Sequence, residues 1–298
     1  MITVCTPTYN RAYILNQLYQ SLKNQTCQDF VWCIVDDGST DNTKEIVDKW
    51  IEEDHKFKID YYYQINAGEM QALNTGVVHT GTELFFFVDS DDRLVPNAIE
   101  KISNQWEMEK KLKKDFEVCG IMAYHGDAQG HLYNGQELPV SGDYTTLSYT
   151  AERGFHNTLA LVLRTDIIKH YPFPKIEGEK FIAEGYIYLQ IDQKYQYRIL
   201  REVVQIKIFH DDGLSKDIDR IYYQNPKGSI LLYNQGMKLH KTFTQRIKDA
   251  ANYVCYSFVG HNKHIIKGAK CKGLTVMMCP AGIYLFWKRS RKYKINRS

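Results

Sequence analysis

The stretch ELFFFVDSDD, residues 83–92, decides how the chain reads. Leu84 to Val88 is an apolar run without polar alternation, the pattern of a strand buried on both faces. It stops abruptly at Asp89, Ser90, Asp91 and Asp92. Carboxylates crowded at the end of a buried strand repel one another and are costly unless a cation lies against them. A hard divalent cation with oxygen ligands meets that need, held by one or two carboxylates together with a diphosphate. A solvated Asp-rich turn accounts for the same residues taken alone, so the neighbouring strand ends carry the decision.

Working outward, similar segments recur. Met1 to Pro7 reads as a short buried strand, followed by a helix with Ile14, Leu15, Leu18 and Leu22 at helical spacing and Asn10 as its N-cap. FVWCIVDDGSTDNT (30–43) is a second strand ending in a polar turn, and the helix after it should turn Ile46, Val47, Trp50 and Ile51 inward. KIDYYYQINAG (58–68), a short helix, ELFFFVDSDD, a helix opened by Pro96, and FEVCGIMAYHGD (116–127) continue the alternation. Apolar strands alternating with helices predict an α/β fold with a mostly parallel sheet covered on both faces. Ligands of such sheets bind beyond the carboxyl ends of the strands. Thr6 to Asn10, Asp36 to Ser39, Asn66 to Gly68 and Asp89 to Asp92 should therefore meet at one rim. Residues 126–136 suggest a hairpin, 158–168 a strand then a helix, and 203–210 a strand ending at His210. The pattern is helical from about Ile221.

Composition sets further bounds. The chain has 298 residues, 44% of them apolar, enough for one large α/β domain with an appendage. Its 22 Tyr and 13 Phe suit flat faces that receive sugars or bases, although packing accounts for most of them. The seven Cys show no metal-binding spacing and predict reduced thiols in a cytoplasmic protein. Neither a signal peptide nor an apolar span of transmembrane length is expected. No GxGxxG follows a strand and no GxxxxGK[ST] occurs, which disfavours dinucleotide oxidoreductases and P-loop NTPases.

TPTYNR (6–11), VDDGSTDNT (35–43), NAGEMQALNTG (66–76) and VDSDD (88–92), in this order, resemble the family 2 inverting glycosyltransferases of GT-A fold. Singly each motif is weak; together they are specific. The likeness continues more loosely through GEKFIAEGYIYLQI (178–191) and IFHDDGLS (208–215) and fades after about residue 220. The resemblance implies a nucleotide-diphospho-sugar donor, a UDP-sugar above all, and Mn²⁺ or Mg²⁺. It places Thr6, Pro7, Tyr9 and Asp37 on the nucleoside, with Asp36 beside them. Asn66, Gly68 and Asn74 line the uracil and ribose side. Asp89, with Ser90 beside it, contacts ribose or metal, and Asp91 ligates the metal, with Asp92 the near alternative. Glu184 matches the catalytic base, although many members carry two acidic residues where this chain has Glu184-Gly185. Glu177 and Glu179 rank below it. His210 is a candidate ligand for metal or diphosphate. On this reading residues 1–125 form the nucleotide-sugar half and 126–220 the acceptor and base half of the same domain. Residues 221–298 form a helical extension. The alternative is a catalytically silent sugar-binding or assembly module of the same fold.

Charge is unevenly distributed. Residues 250–298 carry ten Lys or Arg and no Asp or Glu, while the first 249 carry 28 basic against 35 acidic residues. The apolar segment 273–287, broken by Pro280, precedes KRSRKYKINR (288–297). It is too short to span a bilayer. Aromatic and apolar residues flanked by Lys and Arg predict peripheral contact with an anionic membrane, at the inner face of the cell membrane, suited to a lipid-linked glycan acceptor. An ordinary packed helix with a solvated tail explains the same residues equally well. A nucleic-acid partner is not expected, since no recognition motif accompanies the charge.

Overall fold

The computed structural model describes residues 1–53, 56–155, 157–208 and 217–294. Strands β1 (Ile2–Thr8), β2 (Phe30–Asp36), β3 (Lys58–Tyr63) and β4 (Leu84–Phe87) alternate with α1 (Ala12–Lys23), α2 (Thr43–Glu52) and α3 (Glu69–His79). There follow β5 (Arg93–Leu94), α4 (Ala98–Lys110), β6 (Glu117–Gly126), β7 (Tyr144–Thr145), α5 (Leu147–Glu152), β8 (Leu159–Arg164) and α6 (Thr165–Ile168). After α7 (Gly185–Ile191) and β9 (Tyr195–Ile206) the chain is helical: α8 (Ile218–Gln224), α9 (Pro226–Leu239), α10 (Phe243–Val259), α11 (Ile265–Gly268), α12 (Lys272–Met277) and α13 (Cys279–Lys294).

The strands form one mixed sheet in the order β3-β2-β1-β4-β8-β6-β9-β5, with β7 on β9. The ladders β3-β2-β1-β4 and β6-β9 are parallel and contain most of the paired residues. β8 runs antiparallel to both its neighbours, β4 and β6, and joins the two parallel parts. The chain divides into two compact units. One comprises residues 1–172 and 194–210 and holds the sheet; the other comprises 173–193 and 211–298.

Every residue of β1 is buried, as a central strand requires. Beneath it Tyr19, Trp32 and Trp50 stack, with ring centroids 4.2 Å apart for Tyr19–Trp50 and 5.7 Å for Trp32–Trp50. A side chain of this size, fully buried, contributes roughly 1.5–3 kcal/mol. In α2, Val47 and Trp50 face this core, but Ile51 is 44% exposed, so the expected inward set was one residue too wide. α3 lies close on β1 because Gly76 leaves the space that Cys5 fills; a Cβ there would stand 2.3 Å from the Cys5 sulfur.

Asn10 does not cap α1. It sits in the left-handed region at φ 53°, and its Oδ1 accepts from the backbone N–H of Thr40 at 2.7 Å. The cap comes from the next loop, where Asp41 Oδ2 accepts from the Ala12 N–H at 3.1 Å and Oδ1 from the Thr43 N–H at 3.0 Å. One carboxylate thus serves the first turns of two helices, and it fixes the spacing between the ends of β1 and β2.

Candidate donor and metal site

Parallel pairing places Thr8 of β1 opposite Asp36 of β2, and Cys5 opposite Phe87 of β4. The carboxyl ends of the three strands therefore open on one rim. Two backbone bonds continue the pairing into the loops: Asp37 N–H to Thr8 O at 2.8 Å and Val88 N–H to Cys5 O at 3.0 Å. Thr6 is fully buried and its hydroxyl accepts from the Trp32 indole at 3.1 Å, so its side chain is used inside the core. Pro7 is buried and Tyr9 is 48% exposed at the rim. Thr8, between them, was not singled out from sequence. Its Oγ1 is buried without a hydrogen-bond partner, which is costly unless a ligand or water supplies one.

Asp36 and Asp37 are buried, and both brace loops. Asp36 accepts from Ser39 N–H at 2.7 Å and from the Tyr61 hydroxyl at 2.6 Å. Asp37 accepts from Gln64 Nε2 at 2.7 Å and from the backbone N–H groups of Ala67 and Gly68, each at 2.8 Å. Three donors on one carboxylate hold the 64–68 loop against the end of β2. Gly38 makes this approach possible: its φ is +86°, and a Cβ would stand 2.8 Å from the Asn66 nitrogen. Asn66, Gly68 and Asn74 are half-buried along this edge.

The carboxylates after β4 converge. One oxygen from each of Asp89, Asp91 and Asp92 lies within 4.8 Å of the others. Three hard oxygen donors this close fit a Mg²⁺ or Mn²⁺ ion. Their surroundings differ. Asp89 and Asp91 are half-buried and Ser90 is buried. Asp92 is fully buried and accepts from Gln205 Nε2 at 2.6 Å and from the Ile208 N–H at 3.1 Å. Burial pushes the Asp92 carboxyl up to about 7, against the nearby Lys207 ammonium, which pulls it down. The Asp91 carboxyl is also raised, by burial and then by the charge of Asp89, with Lys207 and Arg11 opposing.

Lys207 supplies part of the positive charge these carboxylates require. Its ammonium donates to Asp89 Oδ2 and lies 3.3 Å from Asp92 Oδ2. No motif signals this residue. Lys207 lies more than a hundred positions from the aspartates it meets, just past the end of β9. Behind the cluster, His125 on β6 shares a 2.8 Å hydrogen bond with the Thr158 hydroxyl, and burial holds its imidazole down to about 4.

Glu184 belongs to the second unit. It is half-buried at the N-terminus of α7, where its carbonyl accepts from the Ile187 N–H at 3.1 Å. Glu179 acts as a helix cap. Its two oxygens accept from the Lys227 and Gly228 N–H groups, each at 2.9 Å, at the start of α9. His210 lies outside the described residues.

A family profile described as "Glycosyl transferase family 2" matches residues 3–161. Among curated proteins, the chain is 31% identical over 144 residues to glycosyltransferase GlyG of Streptococcus pneumoniae, covering 47% of this chain and 46% of that protein. It is 32% identical over 238 residues to the hyaluronan synthase of Pasteurella multocida, covering 80% of this chain and 23% of the synthase. The match thus spans less than half the length of either relative. Among solved structures, S. aureus TarS in complex with UDP-GlcNAc superposes with a TM-score of 0.57 at 17% identity, over 98% of this chain and 92% of that one. At this identity the likeness is one of fold.

Proposed function

The chain belongs to glycosyl transferase family 2, and from that premise we propose a metal-dependent, inverting transferase that moves a hexose-type sugar from a UDP-sugar to an acceptor hydroxyl. The acceptor is a surface polysaccharide or a lipid-linked glycan. The observation that carries this reading is the convergence of Asp89, Asp91 and Asp92 at the rim where β1 and β2 also end. A hyaluronan synthase, and S. aureus TarS in complex with UDP-GlcNAc, among the similar proteins support the donor class and the polysaccharide product.

Asp91 and Asp89, with Asp92 adjoining, would hold Mg²⁺ or Mn²⁺, and a bound cation supplies positive charge against the diphosphate leaving group. His210, outside the described residues, is kept as a further ligand of metal or diphosphate. Tyr9, Asn66, Gly68, Asn74 and the unpartnered hydroxyl of Thr8 receive the nucleoside, while Asp36 and Asp37 hold the loops that carry them. Glu184 takes the proton from the acceptor hydroxyl as that oxygen attacks C1 of the sugar from the face opposite the diphosphate. The C1–O bond to the diphosphate breaks, its electron pair leaves with the diphosphate, and a single displacement inverts the anomeric centre. Among the described residues no helix is long and apolar enough to cross a membrane.

Glu184→Gln tests the assignment. UDP-sugar binding should be retained, while transfer falls by about 10²–10⁴, the range for loss of a positioned general base. Undiminished transfer would remove Glu184 from the role. Absence of UDP release from the unaltered chain with every common UDP-sugar and Mn²⁺ would instead favour a silent sugar-binding module.

A further inference from the structure

The solvent side of α13 has an unusual composition. A helix packed on a soluble protein turns its apolar face inward and shows polar residues to water. α13 does pack by one face: Gly282 lies so near α10 that a Cβ would stand 2.5 Å from Val254, and Tyr293 is buried. Arg289 donates to Asn252 Oδ1 at 2.8 Å and lies over the Tyr256 ring at 5.0 Å. Yet Ile283, Tyr284 and Trp287 are 48%, 59% and 51% exposed. Spaced i, i+1 and i+4, they share the outward face. Val276 and Met277, at the end of α12, are exposed at 56% and 53%. Isolated apolar residues on a surface need no explanation, but an adjoining set with two aromatics does.

Charge identifies the occupant. The exposed cations Lys288, Arg291 and Lys292 follow the patch and Lys272 precedes it, and no acidic residue occurs after Asp249. The Arg291 guanidinium lies 3.8 Å from the centroid of the Trp287 ring, so a cation and an amphipathic aromatic ring are presented together. An apolar face bordered by cations, with Trp and Tyr at the boundary, complements a bilayer surface of anionic lipid: the rings enter at headgroup depth and the ammonium and guanidinium groups stay among the phosphates. A protein partner would require no such uniform charge.

We propose that the outward face of α13, centred on Ile283, Tyr284 and Trp287, docks the protein on anionic phospholipid membranes. No residue of the donor site takes part in this face, so the two readings fail separately.

The test is co-sedimentation of the full chain with vesicles of phosphatidylcholine alone and of phosphatidylcholine mixed with phosphatidylglycerol, at low and high salt. Binding should occur to the mixed vesicles, be weak on phosphatidylcholine, and decline with salt. The triple variant I283S/Y284S/W287S should lose binding by roughly tenfold or more, with unchanged circular dichroism and unchanged UDP release. K288Q/R291Q/K292Q should lose the preference for phosphatidylglycerol. Failure of the unaltered chain to sediment with either vesicle, or undiminished binding by the triple variant, would overturn the proposal. Equal binding to both vesicle types would overturn its anionic part.

Discussion

At the scale of single residues, Lys207 occupies the position a cation would contest. Its ammonium sits against Asp89 and 3.3 Å from Asp92, where three carboxylate oxygens converge. A divalent ion entering that cluster competes with Lys207 for the same oxygens. Lys207→Met should therefore tighten binding of Mn²⁺ alone by about tenfold, the equivalent of about 1.4 kcal/mol of lost competition. Isothermal titration with Mn²⁺ and no nucleotide measures it; equal or weaker affinity in the variant would show that the lysine does not contend for the site. The DSDD motif was legible from the sequence because an apolar strand ending in three carboxylates is physically unusual. The lysine was not, because a lone Lys past a distant strand carries no local pattern. Thr6 and Thr8 teach the same lesson. Both are threonines of one short motif, but the fold sends Thr6 to the Trp32 indole and leaves the Thr8 hydroxyl unpartnered at the rim.

At the scale of elements, caps come from loops remote in sequence. Glu179 accepts from the second and third N–H groups of α9, whose first residue is Pro226. The helix thus begins with one N–H absent by chemistry and two satisfied by a single carboxylate. Glu179→Ala should cost about 1 kcal/mol of stability, as loss of a cap does, read as a lower urea midpoint with UDP release retained. Loss of UDP release at full stability would contradict a capping role. Asp41 takes over the cap expected of Asn10 for the same reason. Local spacing identifies a residue able to cap, but the loop packing decides which helix receives it. The longer helices and strands were readable, since their apolar periodicity is a local property; the short β5, β7 and α5 were not. The antiparallel direction of β8 was not, since its LALVLR composition suits either direction.

At the scale of the whole molecule, the buried carboxylate couples stability to pH. The Asp92 carboxyl keeps its proton in the folded chain up to about pH 7, whereas an unfolded Asp loses it near 4. Between those values the folded state binds more protons than the unfolded one, so this group's contribution is greatest at low pH and is lost as pH rises through about 7. In chelator, the unfolding free energy from urea melts should decline from pH 5 to pH 8, with a slope from this group of at most about 1.4 kcal/mol per pH unit. Asp92→Asn should flatten the profile; an unchanged slope would place the dependence elsewhere. Strand identity, the parallel core and the acidic rim were written locally, in apolar runs that end in polar residues, because burial on both faces demands such runs. Only the tertiary structure decided that Lys207 and Gln205 meet the aspartates, that Asp36 and Asp37 brace loops, and that α13 turns Ile283, Tyr284 and Trp287 to solvent. The reason is that hydrophobic periodicity acts within a segment, whereas charge pairing and hydrogen-bond satisfaction act on whatever the folded chain brings within a few ångströms.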